Sequence, residues 1–141
     1  MEAWERLQPV VEALVSRVTE QGLTVLSPTE RNTYLTWCYP SAVDNGGHAS
    51  FFYNPYGQFA NETLHALRDI GALQYAEILQ RAIRQFPKAY VPVDIVERNT
   101  TFNSLPAKAH REMESCDKAF FRLGSDRLLS RLLEYWTSRA A

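Results

Sequence analysis

Apolar residues recur at intervals of three and four along most of the chain, the spacing that lines one face of an α-helix. Trp4, Leu7, Val11, Leu14, Val15 and Val18 make the first such face, which should close near Gly22. Pro9 interrupts it and predicts either a kink or a helix starting at Gln8, because an internal proline lacks the amide donor and crowds the preceding turn. Ser27-Pro28-Thr29-Glu30 then offers a capping serine, a proline in the first helical position and a glutamate three residues after the cap. The helix it starts carries Tyr34, Leu35, Trp37 and Cys38. Pro40 should bend or end it, and Asp44-Asn45-Gly46-Gly47 reads as a turn.

Phe51-Phe52-Tyr53-Asn54-Pro55 is an aromatic block read as a short helix. From Gln58 to Ile70, Leu64, Leu67 and Ile70 share a face, with Gly71 placed as a left-handed close. Leu73, Ala76, Leu79, Ala82, Ile83 and Phe86 keep the helical period up to Pro87, so two helices joined by a very short link should form a hairpin. Between Lys88 and Pro106 the pattern weakens: Val91, Val93, Ile95 and Val96 suit an extended stretch or the first turn of another helix. Pro106 can open a helix to about Arg122, with Ser104 as its cap and Met113, Cys116 and Phe120 inside. After Gly124, Ser125 caps a last helix with Leu128, Leu129, Leu132, Leu133 and Trp136 inward and Arg127, Arg131 and Glu134 outward. The expectation is a mainly α, compact single-domain bundle of about six or seven helices, including an αα-hairpin, over residues 1–141.

Composition supports one domain: 141 residues that are 45% hydrophobic and 12% aromatic can fill a sizeable core. Fifteen basic and sixteen acidic residues leave a net charge of −1, a weak overall field that steers toward neither nucleic acid nor an anionic membrane. No apolar run approaches the roughly 18 residues of a membrane helix, and the N-terminus does not read as a signal peptide. Cys38 and Cys116 lie 78 positions apart and are expected to be reduced and buried. These features place the chain in the cytoplasm.

Candidate chemistry is sparse. His48, His65 and His110 and the two cysteines lack the close spacing of zinc sites, so no metal and no cofactor is expected. Gly46-Gly47 lacks the further glycines and the lysine of a phosphate loop. His48 with Ser50 is the one local candidate for nucleophilic catalysis, and residues two apart on a helix do not face each other. Phe51, Phe52 and Tyr53 could stack on bases, but no basic residue lies between Arg31 and Arg68, so the block reads as core and hinge material. Asp44 and Glu62 are the only charges in that interval, which suits contact with a protein better than with phosphate.

The order Asn45-Gly46-Gly47, then Phe51-Phe52-Tyr53-Asn54, then Ile70-Gly71-Ala72, then Phe86-Pro87 resembles the bacterial DNA-mimic protein nineteen family. The resemblance is clearest over about residues 34–87, with an echo in Asp117, Phe120, Leu129, Leu133 and Tyr135. It implies a helical fold, no catalytic activity and, as in the founding member, a dimer whose acidic surface imitates DNA phosphates toward a DNA-binding protein. Duplex DNA carries about one charge per 1.7 Å of axis. A chain of net charge −1 would have to act through local carboxylates.

Three functional readings follow. The first is a non-enzymatic protein-binding inhibitor, an immunity protein that neutralises a toxin such as a nuclease by occupying its active or DNA-binding surface. Asp44, Glu62, Asp69 and Glu77 are its candidate contacts, with no direct contact to nucleic acid or membrane and a homodimer as an option. The second is a DNA-mimic regulator that sequesters a transcription factor. The third is an enzyme using His48 with Asp44 or Asn45 beside the aromatic block. The plainer alternative is that Asn45, Gly46, Gly47 and Asn54 only stabilise a turn, with the asparagines bonding to nearby backbone, and that Phe51, Phe52 and Tyr53 are structural as well.

Overall fold

A computed structural model describes residues 2–139, and every regular element among them is helical. Seven α-helices follow one another: α1 (Ala3–Gln21), α2 (Pro28–Tyr53), α3 (Ala60–Asp69), α4 (Leu73–Ile83), α5 (Ile95–Asn103), α6 (Ala107–Leu123) and α7 (Ser125–Arg139). Short 3₁₀ turns at Leu23–Val25, Pro55–Phe59 and Pro87–Ala89 join some of them. The expected bundle of six or seven helices is therefore observed.

The long α2 organises the bundle. It packs against α1, α3, α5, α6 and α7, while α3 and α4 form the expected hairpin and α4 lies along α6. The main core gathers Tyr39, Val43, Phe51, Phe52, Leu67, Leu79, Phe86, Phe120, Leu128 and Leu132, all nearly or fully removed from water. A smaller cluster of Leu14, Leu26, Tyr34, Leu35, Cys38 and Ala66 seals α1 against the first half of α2. Each large apolar side chain buried this way contributes about 1.5–3 kcal/mol before chain entropy is counted.

The start of α2 follows the sequence signature. The Ser27 hydroxyl accepts from the Glu30 amide at 3.2 Å, and the Glu30 carboxylate accepts from the Ser27 amide at 2.9 Å. That backbone hydrogen bond, helped by Arg17 at 2.6 Å, holds the Glu30 carboxyl below its ordinary pKa.

Pro9 and Pro40 both lie inside their helices and end neither of them. α1 begins at Ala3 and runs through Pro9, rather than starting at Gln8. Likewise α2 continues through Pro40, which is buried within it. An internal proline costs about 3 kcal/mol in an isolated helix. Here Tyr39 and Val43, with no exposed surface, bind this stretch into the core and override that cost. The break comes instead at Gly46 and Gly47, with φ/ψ of −171/29 and 73/−171, and Phe51-Phe52-Tyr53 forms the last turn of α2 beyond it.

Ser104 also differs from expectation. It closes α5, its hydroxyl donating to the Thr100 carbonyl at 2.9 Å, while Pro106 takes the capping position of α6. Between α4 and α5, Lys88 and Ala89 both hold positive φ, 59 and 54 degrees, which costs roughly 1 kcal/mol or more for each non-glycine residue. Tyr90 and Asp94 have extended backbone, the chain bends at Val93 and Asp94, and Asp94 caps α5 through the Glu97 amide at 2.9 Å.

Candidate functional site

Of the two glycines that break α2, Gly47 admits a side chain from another helix, while Gly46 faces Ser50 of α2 itself. Gly47 lies under the carboxylate of Asp117 on α6, and a β-carbon there would collide with both carboxylate oxygens. Its φ/ψ also falls in a region that is essentially restricted to glycine. With that space open, Asp117 Oδ1 accepts from the His48 backbone amide at 2.8 Å and lies 2.6 Å from His48 Nδ1. The other ring nitrogen, Nε2, is 2.7 Å from the Tyr39 hydroxyl. Acceptance by the carboxylate places a proton on Nδ1, so in the neutral ring Nε2 receives the Tyr39 O–H.

An acid, an imidazole and a hydroxyl in series is the order of a nucleophilic relay. Here the series ends in a phenol inside the core. Tyr39 and His48 have no exposed surface, and desolvation drives the Tyr39 hydroxyl far above its ordinary pKa. Phe51 and Phe120 meet Tyr39 edge to face at 5.3 and 5.4 Å. The arrangement can fix α2 against α6 and hold the break in one geometry. His48 takes Asp117 as its partner, and neither Asp44, Asn45 nor Ser50 bonds to its ring.

Past the break, Phe51 and Phe52 are fully buried, whereas Tyr53 is half exposed and its hydroxyl donates to Asn103. Phe52 packs on Phe86 at 4.8 Å, so Phe51 and Phe52 belong to the core, whereas Tyr53 lies at the surface. Asn54 bonds the Ser50 carbonyl through its side-chain amide at 2.8 Å, also as expected. Asn45 is exposed and makes no side-chain hydrogen bond among the described residues.

A second polar centre, absent from the sequence reading, lies beside this block. Arg98 on α5 has no exposed surface, and its guanidinium donates to four carbonyls: Phe52 at 2.6 Å, Asn54 at 2.9 Å, Pro92 at 3.0 Å and Val93 at 2.8 Å. Burial lowers its pKa, because desolvation disfavours the charged form. Gly57 makes room for it: a β-carbon there would stand 2.6 Å from Arg98 Nε. The sequence signal was present but faint, since Arg98 sits four residues before the buried Phe102 and so shares its inward face.

The four acidic residues singled out in the sequence all lie on the surface, and none forms an ion pair among the described residues. Their surroundings differ. Asp44, one turn before the break, accepts from the Ser125 hydroxyl. Glu62 stands in the first turn of α3. Asp69 receives a 3.3 Å hydrogen bond from Asn32 and lines a cleft of about 340 Å³ with Arg68, Arg131 and Arg139. Glu77 lines a separate cleft with Arg81 and Arg122. The structure thus spreads the four over α2, α3 and α4 without gathering them in one cleft.

Among the described residues no group of three or more histidine, cysteine, aspartate or glutamate side chains is placed to hold a metal ion. Both cysteines are free and buried, as expected. No helix among those residues is long and apolar enough to cross a membrane.

No curated protein and no solved structure matches the chain significantly. A family model described as DMP19-like protein matches residues 25–140, a span that holds the capping box of α2, the glycine break, the aromatic block, Arg98 and Asp117. That match covers most of the sequence, and the chain belongs to the DMP19-like protein family.

Proposed function

We propose that the chain is a non-enzymatic inhibitor that acts by binding another protein: an immunity protein that neutralises a toxin, with a nuclease as the fitting target. The observation that carries this reading is the state of its surface acids. Asp44, Glu62, Asp69 and Glu77 are exposed and form no ion pair among the described residues, which leaves their charge open to a basic partner, Asp69 and Glu77 from beside the arginines of their clefts. A nuclease cleft is basic because it holds phosphates, and local carboxylates can occupy it without a large net charge. The sealing of Tyr39 and His48 inside the core further supports a binding role over a catalytic one.

Membership of the DMP19-like family favours a second reading, in which the chain occupies a DNA-binding regulator in place of its duplex. Both readings predict a partner that handles DNA. Affinity capture on the full chain from its native lysate, with duplex DNA as competitor, tests them together. Recovery of a nuclease released by added duplex supports immunity, and recovery of a transcription factor released in the same way supports mimicry. A captured protein that duplex DNA fails to displace would contradict both.

A further inference from the structure

The connection between α4 and α5 is built against the ordinary economy of a small domain. Tyr90, Val93, Ile95 and Val96 are 52%, 58%, 41% and 70% exposed, four large apolar side chains within seven residues. Singly exposed apolar residues need no explanation, whereas a run of them marks a contact surface. The backbone beneath them is held rigidly. Lys88 and Ala89 turn the chain through two consecutive left-handed residues, Val91 and Pro92 plug it into the core, and Arg98 grips the Pro92 and Val93 carbonyls from inside. Burying a guanidinium that forms no ion pair among the described residues and accepting positive φ at two non-glycine residues both oppose stability. Together they pre-organise an apolar display that the folded chain itself leaves uncovered, and pre-organisation is what lowers the entropy cost of docking.

We propose that Tyr90, Val93, Ile95 and Val96 form the docking surface for a protein partner whose matching face is an apolar pocket rimmed by lysine or arginine. Charge selects that partner. From Tyr90 to Glu97 the only charged residues are Asp94 and Glu97, both exposed and neither in an ion pair among the described residues. Apolar anchors with a few carboxylates among them fit a basic surface and repel an acidic one. This assignment rests on the reading that the chain binds a basic protein, and it adds where that protein sits: on the α4–α5 connection, apart from the glycine break.

The test uses the full chain with a benzoylphenylalanine photocrosslinker at Val96, and in parallel at Glu62, irradiated in native lysate. The adducts are digested and sequenced by mass spectrometry. The expected result is an adduct at Val96 with one protein, joined at a segment rich in lysine or arginine and lost in a Tyr90→Ser/Val93→Ser/Glu97→Gln variant, which leaves the Asp94 cap in place and keeps the wild-type unfolding midpoint. A basic partner without a role on DNA would uphold this surface while overturning the functional reading above. A DNA-handling partner joined at Glu62 and absent at Val96 would uphold that reading and overturn this surface. Adducts only between copies of the chain, or none at Val96, would also overturn it.

Discussion

Asp117 and His48 are 69 positions apart in sequence, and one carboxylate oxygen of Asp117 takes both the backbone and the ring N–H of His48. Nothing else in the described structure ties the break in α2 to α6 so directly. Removing the acceptor leaves two donors at a largely buried site, and an unsatisfied buried donor costs about 1–3 kcal/mol. Asp117→Ala should therefore lower the unfolding free energy by about 2 kcal/mol in urea titration. Asp117→Asn keeps an oxygen acceptor and should lose less.

Gly47 adds a steric partner to the same contact. Gly47 and Gly124 share an essentially glycine-only backbone region, at φ/ψ of 73/−171 and 83/149, but a β-carbon at Gly47 also meets the Asp117 carboxylate whereas one at Gly124 has nothing within 4 Å. Gly124→Ala should cost about 1–3 kcal/mol from backbone conformation alone. Gly47→Ala should exceed it by at least about 1 kcal/mol, and part of that excess should disappear in an Asp117→Ala background, measured as a double-mutant cycle.

These relationships mark where the sequence was legible. The capping box at Ser27 and Glu30 is local, three residues long in its logic, and the expected start of α2 is where the helix starts. Helical periodicity likewise identified the inner faces of α6 and α7, because Cys116, Phe120, Leu128 and Leu132 each report their own burial. Pro40 was misleading because tertiary packing of Tyr39 and Val43 outweighs a local penalty. The pairing of His48 with Asp117 and the four carbonyls held by Arg98 span separations of up to 69 residues, which no local pattern encodes.

Arg98 offers a sharper stability test than any apolar position. Arg98→Met fills similar space but abandons four buried or half-buried carbonyls, and the loss should be about 3 kcal/mol or more by chemical denaturation. Arg98→Lys restores a charge without the planar fork and should recover only part of it. Amide exchange should rise first around Pro92 and Val93 and around Phe52 to Asn54, whose carbonyls the guanidinium holds.

Thiol chemistry reports the core independently. Burial pushes Cys38 up to about 12 and Cys116 up to about 11, from an ordinary 9.0. At pH 8 the Cys38 thiolate is then present in about one molecule in ten thousand, and only the thiolate reacts. Native protein should consume almost no Ellman reagent at pH 8 over minutes, and both thiols should titrate in denaturant. Rapid native reaction at either cysteine would contradict the packing described.

The claim that exposed, unpaired carboxylates carry the function is tested most directly by the salt dependence of affinity for the captured partner. Wild-type chain is compared with the Asp44→Asn/Glu62→Gln/Asp69→Asn/Glu77→Gln variant in titrations from low to high salt. The variant should bind more weakly at low salt, show a shallower salt dependence, and converge with wild type once salt screens the charges. Equal affinity and equal salt dependence for the two proteins would contradict it.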